Sequence, residues 1–160
     1  MAPKEHVDFL FAGGGAAATI LLMCMERHGL LADKSWVVIE PSSKTNNDKT
    51  FCFWGKPDEL PAVSCAHLIN KRWSGVLVNN TNSESLSPQF YHHVSSLDLY
   101  NELRRIVGSN NGRIIHTRVQ KTMVENGLPI VHTEVNTWSA SIVFDSRTPT
   151  YHPAKKTKRI

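Results

Sequence analysis

The chain has 160 residues, of which 41% are hydrophobic and 20% charged. That suits one globular domain, or part of one, and argues against a disordered chain. The formal net charge of +4 resides in Lys155, Lys156, Lys158 and Arg159, because residues 1–148 hold 14 basic and 14 acidic side chains. The high pI therefore describes a tail, and no nucleic-acid partner is expected.

Cys24, Cys52 and Cys65 form no C-x-x-C, and an odd count does not suit a disulfide framework, so a reducing cytoplasm is expected. The histidines include His92-His93 but show no zinc spacing, so no metal is expected, and the pair should place one ring inside and one in water.

Residues 9–25 pass without a charge but are interrupted by three glycines. A membrane span needs about 20 apolar residues, so the run divides better into a strand and a helix. Val7–Ala12 is the strand, and Ala16–His28 is the helix, stopped by Gly29. Between them, Gly13-Gly14-Gly15-Ala16-Ala17-Ala18 contains G-x-G-x-x-A. In such a joint Gly13 permits the tight turn, Gly15 lets backbone approach a pyrophosphate, and Ala18 lets the helix pack close to the sheet. The helix N-terminus offers free N–H groups to the phosphates.

Trp36–Glu40 reads as a second buried strand ending in a carboxylate. An acid there hydrogen-bonds a ribose hydroxyl in dinucleotide-binding folds. No Arg follows Glu40 directly, which points to FAD or NAD rather than a 2′-phosphorylated nucleotide.

The polar stretch 41–50 is a loop. Phe51-Cys52-Phe53-Trp54 reads as a hydrophobic cluster anchoring that loop or as a pocket wall. Short strands at 67–70 and 76–78 would flank a turn at Ser74-Gly75, and 79–83 is a turn-rich break. After a strand at 90–94, Ser95 and Asp98 suggest a capping box. The helix behind it buries Leu99, Leu103, Ile106 and Val107, leaves Arg104-Arg105 solvated, and ends at Gly108 or Gly112. Strands follow at 113–116, 119–124, 130–134 and 138–144, with a hairpin turn at Glu125-Asn126-Gly127 and Asp145-Ser146-Arg147 just past the last strand.

VDFLFAGGGAAATILLMCME, VVIEP, NDKTFCFW, SSLDLYNELR and IVFDSR together resemble the N-terminal part of flavin-dependent lycopene β-cyclases, over residues 6–151. NDKTFCFW is the most specific element. The resemblance implies an α/β fold: a FAD/NAD(P)-binding Rossmann-like βαβ domain with inserted strands over residues 1–148, truncated before its C-terminal part, and a basic, disordered tail at 149–160.

It further implies cyclisation of the ψ-ends of lycopene to β-ionone rings in carotenoid biosynthesis. FAD would act in its reduced form with NAD(P)H as reductant, in a cytoplasmic enzyme peripherally associated with membrane. Gly13, Gly14, Gly15, Ala16 and Ala18 would meet the FAD pyrophosphate region, Glu40 the adenosine ribose, and Asp145 the flavin-side phosphate and ribityl. Asp98 stands where many related flavoproteins carry Arg at the start of a helix. The family's acidic F-x-E-E-T-type motif is absent, so the chain is expected to be an N-terminal fragment without a catalytic residue and inactive alone. The alternatives are another FAD-dependent oxidoreductase, of the geranylgeranyl reductase or aromatic hydroxylase type, or a non-catalytic dinucleotide-binding remnant.

Overall fold

The computed structural model describes residues 4–79 and 82–148; the tail 149–160 lies outside them. Strand β1 (Lys4–Ala12) runs into the glycine joint, and helix α1 (Ala16–Arg27) follows. Its alanines and unbranched side chains favour helix. Gly29, at φ 67, ends it in the left-handed region. There the Gly29 N–H reaches the Glu26 carbonyl and the Leu30 N–H the Met25 carbonyl, each at 2.9 Å, which satisfies the last turn.

Strand β2 (Trp36–Ile39) is buried throughout, as a strand covered on both faces must be. After it come β3 (Thr50–Gly55), the short helix α2 (Leu60–Ser64), β4 (Ile69–Trp73), β5 (Gly75–Val78), β6 (Asn82–Ser85) and β7 (Phe90–Ser95). Helix α3 (Ser96–Ser109), β8 (Gly112–Ile115), β9 (Val119–Glu125), β10 (Leu128–Thr133) and β11 (Thr137–Asp145) complete the order.

The main sheet has the order β8-β2-β1-β11-β10-β9. Its first four strands are mutually parallel, and β10 and β9 continue antiparallel. Helices α1 and α3 cover one face with Leu22, Met23, Leu99, Leu103 and Ile106 against Phe11, Trp36 and Val38. On the other face Val119, Val131 and Trp138 join Val7, Leu10, Val37 and Ile39, so the antiparallel strands help close the second core. Asn126 at φ 51 and Gly127 at φ 80 make the two-residue β9–β10 turn, as the sequence suggests.

The inserted segment forms a second sheet, β3-β7-β4, and a separate β5–β6 pair. Phe51-Cys52-Phe53-Trp54 is thus a strand, with Phe51 edge-on to Tyr100 and Phe53 stacked on His92. Trp54 and Trp73 flank Tyr91 on an exposed side, at 52% and 41% exposure, whereas Trp36 and Trp138 are at 1%. His92 is fully buried with Nε2 3.1 Å from the Gly55 carbonyl oxygen, and its neighbour His93 is half-buried.

Five local expectations are corrected. β4 and β5 do not pair around Ser74-Gly75: β4 joins β7, and β5 joins β6. The break at 79–83 gives way to strand from Asn82. No capping box forms, because Ser95 makes no side-chain cap bond and the Asn47 side-chain oxygen accepts the Leu97 N–H at 3.4 Å instead. Helix α3 passes through Gly108 to cap at Asn110, with Asn111 taking the left-handed turn at φ 53. Arg105, for its part, clamps the helices rather than standing free, donating to Glu102 of α3 and Glu26 of α1.

Gly112 faces the Trp36 ring so closely that a Cβ there would overlap it. Gly112→Ala is therefore expected to destabilise the fold by about 1–3 kcal/mol through overpacking, read as a lower midpoint in denaturant at unchanged slope.

Candidate functional site

β1, β2 and β11 all present their C-terminal ends at one edge of the sheet, where ligands bind in open α/β folds. The parallel register sets Ala12 beside both Ile39 and Asp145. A cleft of about 1040 Å³ opens there, lined among others by Gly13, Gly15, Glu40, Lys44, Asp145 and Arg147.

The glycines serve different ends. Gly13 sits at φ 106, and a Cβ on it would lie 2.7 Å from Ser146 Oγ. Gly14 is crowded by Glu40 and Leu103, whose atoms would lie 3.2–3.3 Å from a Cβ. A Cβ on Gly15 would meet nothing within 4 Å, so the space over this residue is free for a ligand. The first helical bond of α1 runs from the Thr19 N–H to the Gly15 carbonyl at 3.0 Å, which leaves the N–H groups of Ala16, Ala17 and Ala18 without an acceptor in the helix. The first turn carries no acidic residue. Ala18 is buried in the core beneath, as its small size predicts.

Glu40 is 7% exposed. Its Oε2 accepts the Gly14 N–H at 2.9 Å and lies 3.6 Å from Lys44 Nζ, while Oε1 accepts the Ser42 N–H at 2.9 Å. Those partners are what allow a carboxylate to be buried. On the opposite side Asp145 is exposed and paired with Arg147 at 2.6 Å. Arg147 also donates to the Val119 carbonyl at 3.2 Å and Thr122 Oγ1 at 3.1 Å, tying β9 to the end of β11.

Lys44, Lys49, Arg118, Lys121 and Arg147 line the cleft against only Glu40 and Asp145. The excess of cations suits a diphosphate. Of these five, Arg147 and Lys49 fall in segments the sequence marks, IVFDSR and NDKTFCFW, while Lys44, Arg118 and Lys121 carry no signal there. Lys44 and Lys49 come from the loop between β2 and β3, Arg118 from the turn before β9, Lys121 from the start of β9, and Arg147 from just past β11. Asp98 does not line the cleft; its carboxylate accepts from Asn70 Nδ2 at 3.5 Å.

Residues 8–159 match the family described as lycopene cyclase protein. The chain belongs to the lycopene cyclase family. The match reaches beyond residue 151, where the visible resemblance stops. No curated protein matches this lycopene cyclase family member by sequence.

Among solved structures it is similar to p-nitrophenol 4-monooxygenase PnpA from Pseudomonas putida, at 12% identity, TM-score 0.60, over 88% of this chain and 41% of that one. The halogenase PltM, solved with phloroglucinol and FAD, aligns at 10% identity, TM-score 0.57, over 88% of this chain and 34% of that one. A geranylgeranyl bacteriochlorophyll reductase-like protein from Thermoplasma acidophilum gives 13%, TM-score 0.55, and 89% and 39% coverage. At these identities the likeness is one of fold, and it bears out the Rossmann-like α/β reading. The family member spans well under half the length of each.

The Arg147 hydrogen bond holds the Asp145 carboxyl below the ordinary value of 3.8. A depressed carboxylate contributes stability above its unfolded value, and the contribution fades as pH falls through the lowered one. Arg147→Gln is expected to raise the Asp145 titration midpoint toward 3.8, followed by carboxyl carbon NMR between pH 2 and 6.

Proposed function

We propose that this chain supplies the dinucleotide-binding portion of a flavin-dependent lycopene cyclase, holding FAD in the cleft at the strand ends. The observation that carries the reading is the open space over Gly15, beside unpaired helix N–H groups and within a cationic cleft. Gly13, Gly14, Gly15 and Ala16 would bring backbone to the diphosphate, with Ala18 setting the helix close beneath. Glu40 would accept from the adenosine ribose, and Asp145 would serve the flavin-side phosphate and ribityl. Reduced FAD, maintained by NAD(P)H, would stabilise developing cationic charge on the polyene without being consumed.

Conversion of lycopene ψ-ends to β-ionone rings involves no net redox change. It requires an acid to protonate the polyene and a base to remove a ring proton. Such an acid must be kept protonated in apolar surroundings, with a raised pKa. Three of the described carboxyls show the opposite. Hydrogen bonds from Ser35, Arg105 and Arg147 lower Asp8, Glu26 and Asp145 respectively. Glu40 and Glu102 are engaged by Lys44 and Arg105. We assign the protonating acid to another part of the enzyme, and residues 1–160 to binding.

The substrate is a bilayer hydrocarbon, while no helix among the described residues is long and apolar enough to cross a membrane. With that substrate, the complete enzyme is proposed to contact a bilayer peripherally, from the cytoplasm.

Gly15→Val places a branched side chain in the proposed diphosphate space, and its Cβ meets no protein atom within 4 Å. It is expected to abolish flavin retention while preserving the thermal midpoint. Retained flavin in the variant would refute the assignment. In a lycopene-accumulating bacterial host, residues 1–160 are expected to leave the pigment profile at the empty-vector control. Any γ- or β-carotene above it would place the acid within this chain.

A further inference from the structure

Two of the cations lining the cleft are already engaged by its two carboxylates. Lys44 lies 3.6 Å from Glu40, and Arg147 pairs with Asp145 at 2.6 Å. Among the described residues no ion pair engages Lys49, Arg118 or Lys121. Lys49 closes the loop from β2 to β3, and that loop is bolted to the start of α3. Asn47 Oδ1 accepts from Ser95 Oγ at 3.1 Å, from Ser96 Oγ at 2.9 Å and from the Leu97 N–H at 3.4 Å. Asp48 Oδ1 accepts from the Tyr100 hydroxyl at 3.0 Å, so this neighbouring carboxylate is spent on the helix as well. The Lys49 N–H donates to Ser96 Oγ at 3.1 Å, and Thr50 then pairs with Ser95 as β3 begins. Ser96 itself is fully buried. The same helix reaches the glycine turn, where Leu103 Cδ2 would lie 3.3 Å from a Cβ on Gly14. One helix thus fixes the Lys49 backbone relative to the glycine joint.

We propose that Lys49 is the cation that binds the cofactor's diphosphate, and that Asn47 is the residue that positions it. This rests on the reading of the cleft as the FAD site. FAD carries its negative charge on the diphosphate, so a cleft cation with no carboxylate partner is drawn to that group. A lysine is a point charge on a flexible four-carbon stem, and it holds an anion at least entropic cost where its backbone is already fixed. Asn47 provides the fixing. Its one amide oxygen gathers two serine hydroxyls and a helix N–H, and Ser96 passes the anchor on to the Lys49 N–H. The first-turn N–H groups of α1 and the Lys49 ammonium then act on the same anion. Arg118 and Lys121 belong instead to the β9 wall.

The test is calorimetric titration of the full chain with FAD and with ADP, which keeps the diphosphate and lacks the flavin. Lys49→Met is expected to weaken both about tenfold, the scale of one lost charge-assisted contact, and Lys49→Arg to keep most of the affinity. Asn47→Ala is expected to weaken both by a smaller factor, and to cost nothing further once Lys49→Met is present. A merely structural role for Asn47 would cost the same in either background. Unchanged affinity in Lys49→Met, or a loss with FAD alone, would overturn the assignment of Lys49 to the diphosphate. No loss in Asn47→Ala, or a loss that persists undiminished in the double variant, would overturn the positioning role. Each of these results leaves the FAD reading intact so long as the wild-type chain binds FAD. A wild-type chain that binds neither probe would overturn that reading and this proposal together.

Discussion

The parallel pairing of β1 with β11 is the constraint on which the site depends. It joins residues more than 130 positions apart and runs almost the whole length of both strands, from Lys4↔Thr137 to Ala12↔Asp145. Because the pairing is parallel, the glycine turn leaving β1 and the Asp145-Ser146-Arg147 segment leaving β11 emerge at the same edge. Ser146 then closes the joint, with its N–H on the Ala12 carbonyl at 3.0 Å and its hydroxyl on the same oxygen at 3.2 Å. A parallel partner cannot arrive by a tight turn. The intervening chain therefore had to be long, and it is there that the second sheet, α3 and the β9–β10 hairpin are accommodated.

Electrostatics divides the cleft into two unlike walls. On one, Glu40 is buried and acts as a clasp, fastening the Gly14 N–H to the end of β2. On the other, Asp145 is exposed and held by an arginine that also braces β9. The first wall is rigid because breaking any contact would leave a buried charge unsatisfied. The second is screened by solvent, so its ion pair adds little to global stability and more to local geometry. A ligand bridging the two would meet a fixed end and an adjustable one.

What was legible in the sequence follows from how local its cause is. The β1–glycine–α1–β2 unit could be read because each step is set within a few residues: apolar runs of strand length, alanines in the helix, Gly29 at its end. The Asn126-Gly127 hairpin was readable for the same reason. Lys44 was not, since its importance comes from neighbours brought in by the fold. The start of α3 shows how local logic can mislead. Ser95 and Asp98 have capping-box spacing, but Asn47 from a distant loop takes the Leu97 N–H and both serine hydroxyls. Likewise β4 and β5 are adjacent in sequence, yet sheet partners were chosen by side-chain packing that no turn signal encodes.

The four tryptophans fall into two optical classes that coincide with the two sheets. Trp36 and Trp138 are sealed in the six-stranded sheet, while Trp54 and Trp73 lie against Tyr91 on the outer side of the three-stranded one. The sealed pair should emit at shorter wavelength and resist iodide, and the outer pair should emit toward the red and be quenched. Intrinsic fluorescence thus carries separate channels for the six-stranded sheet and the inserted one, and selective quenching can follow either without a label.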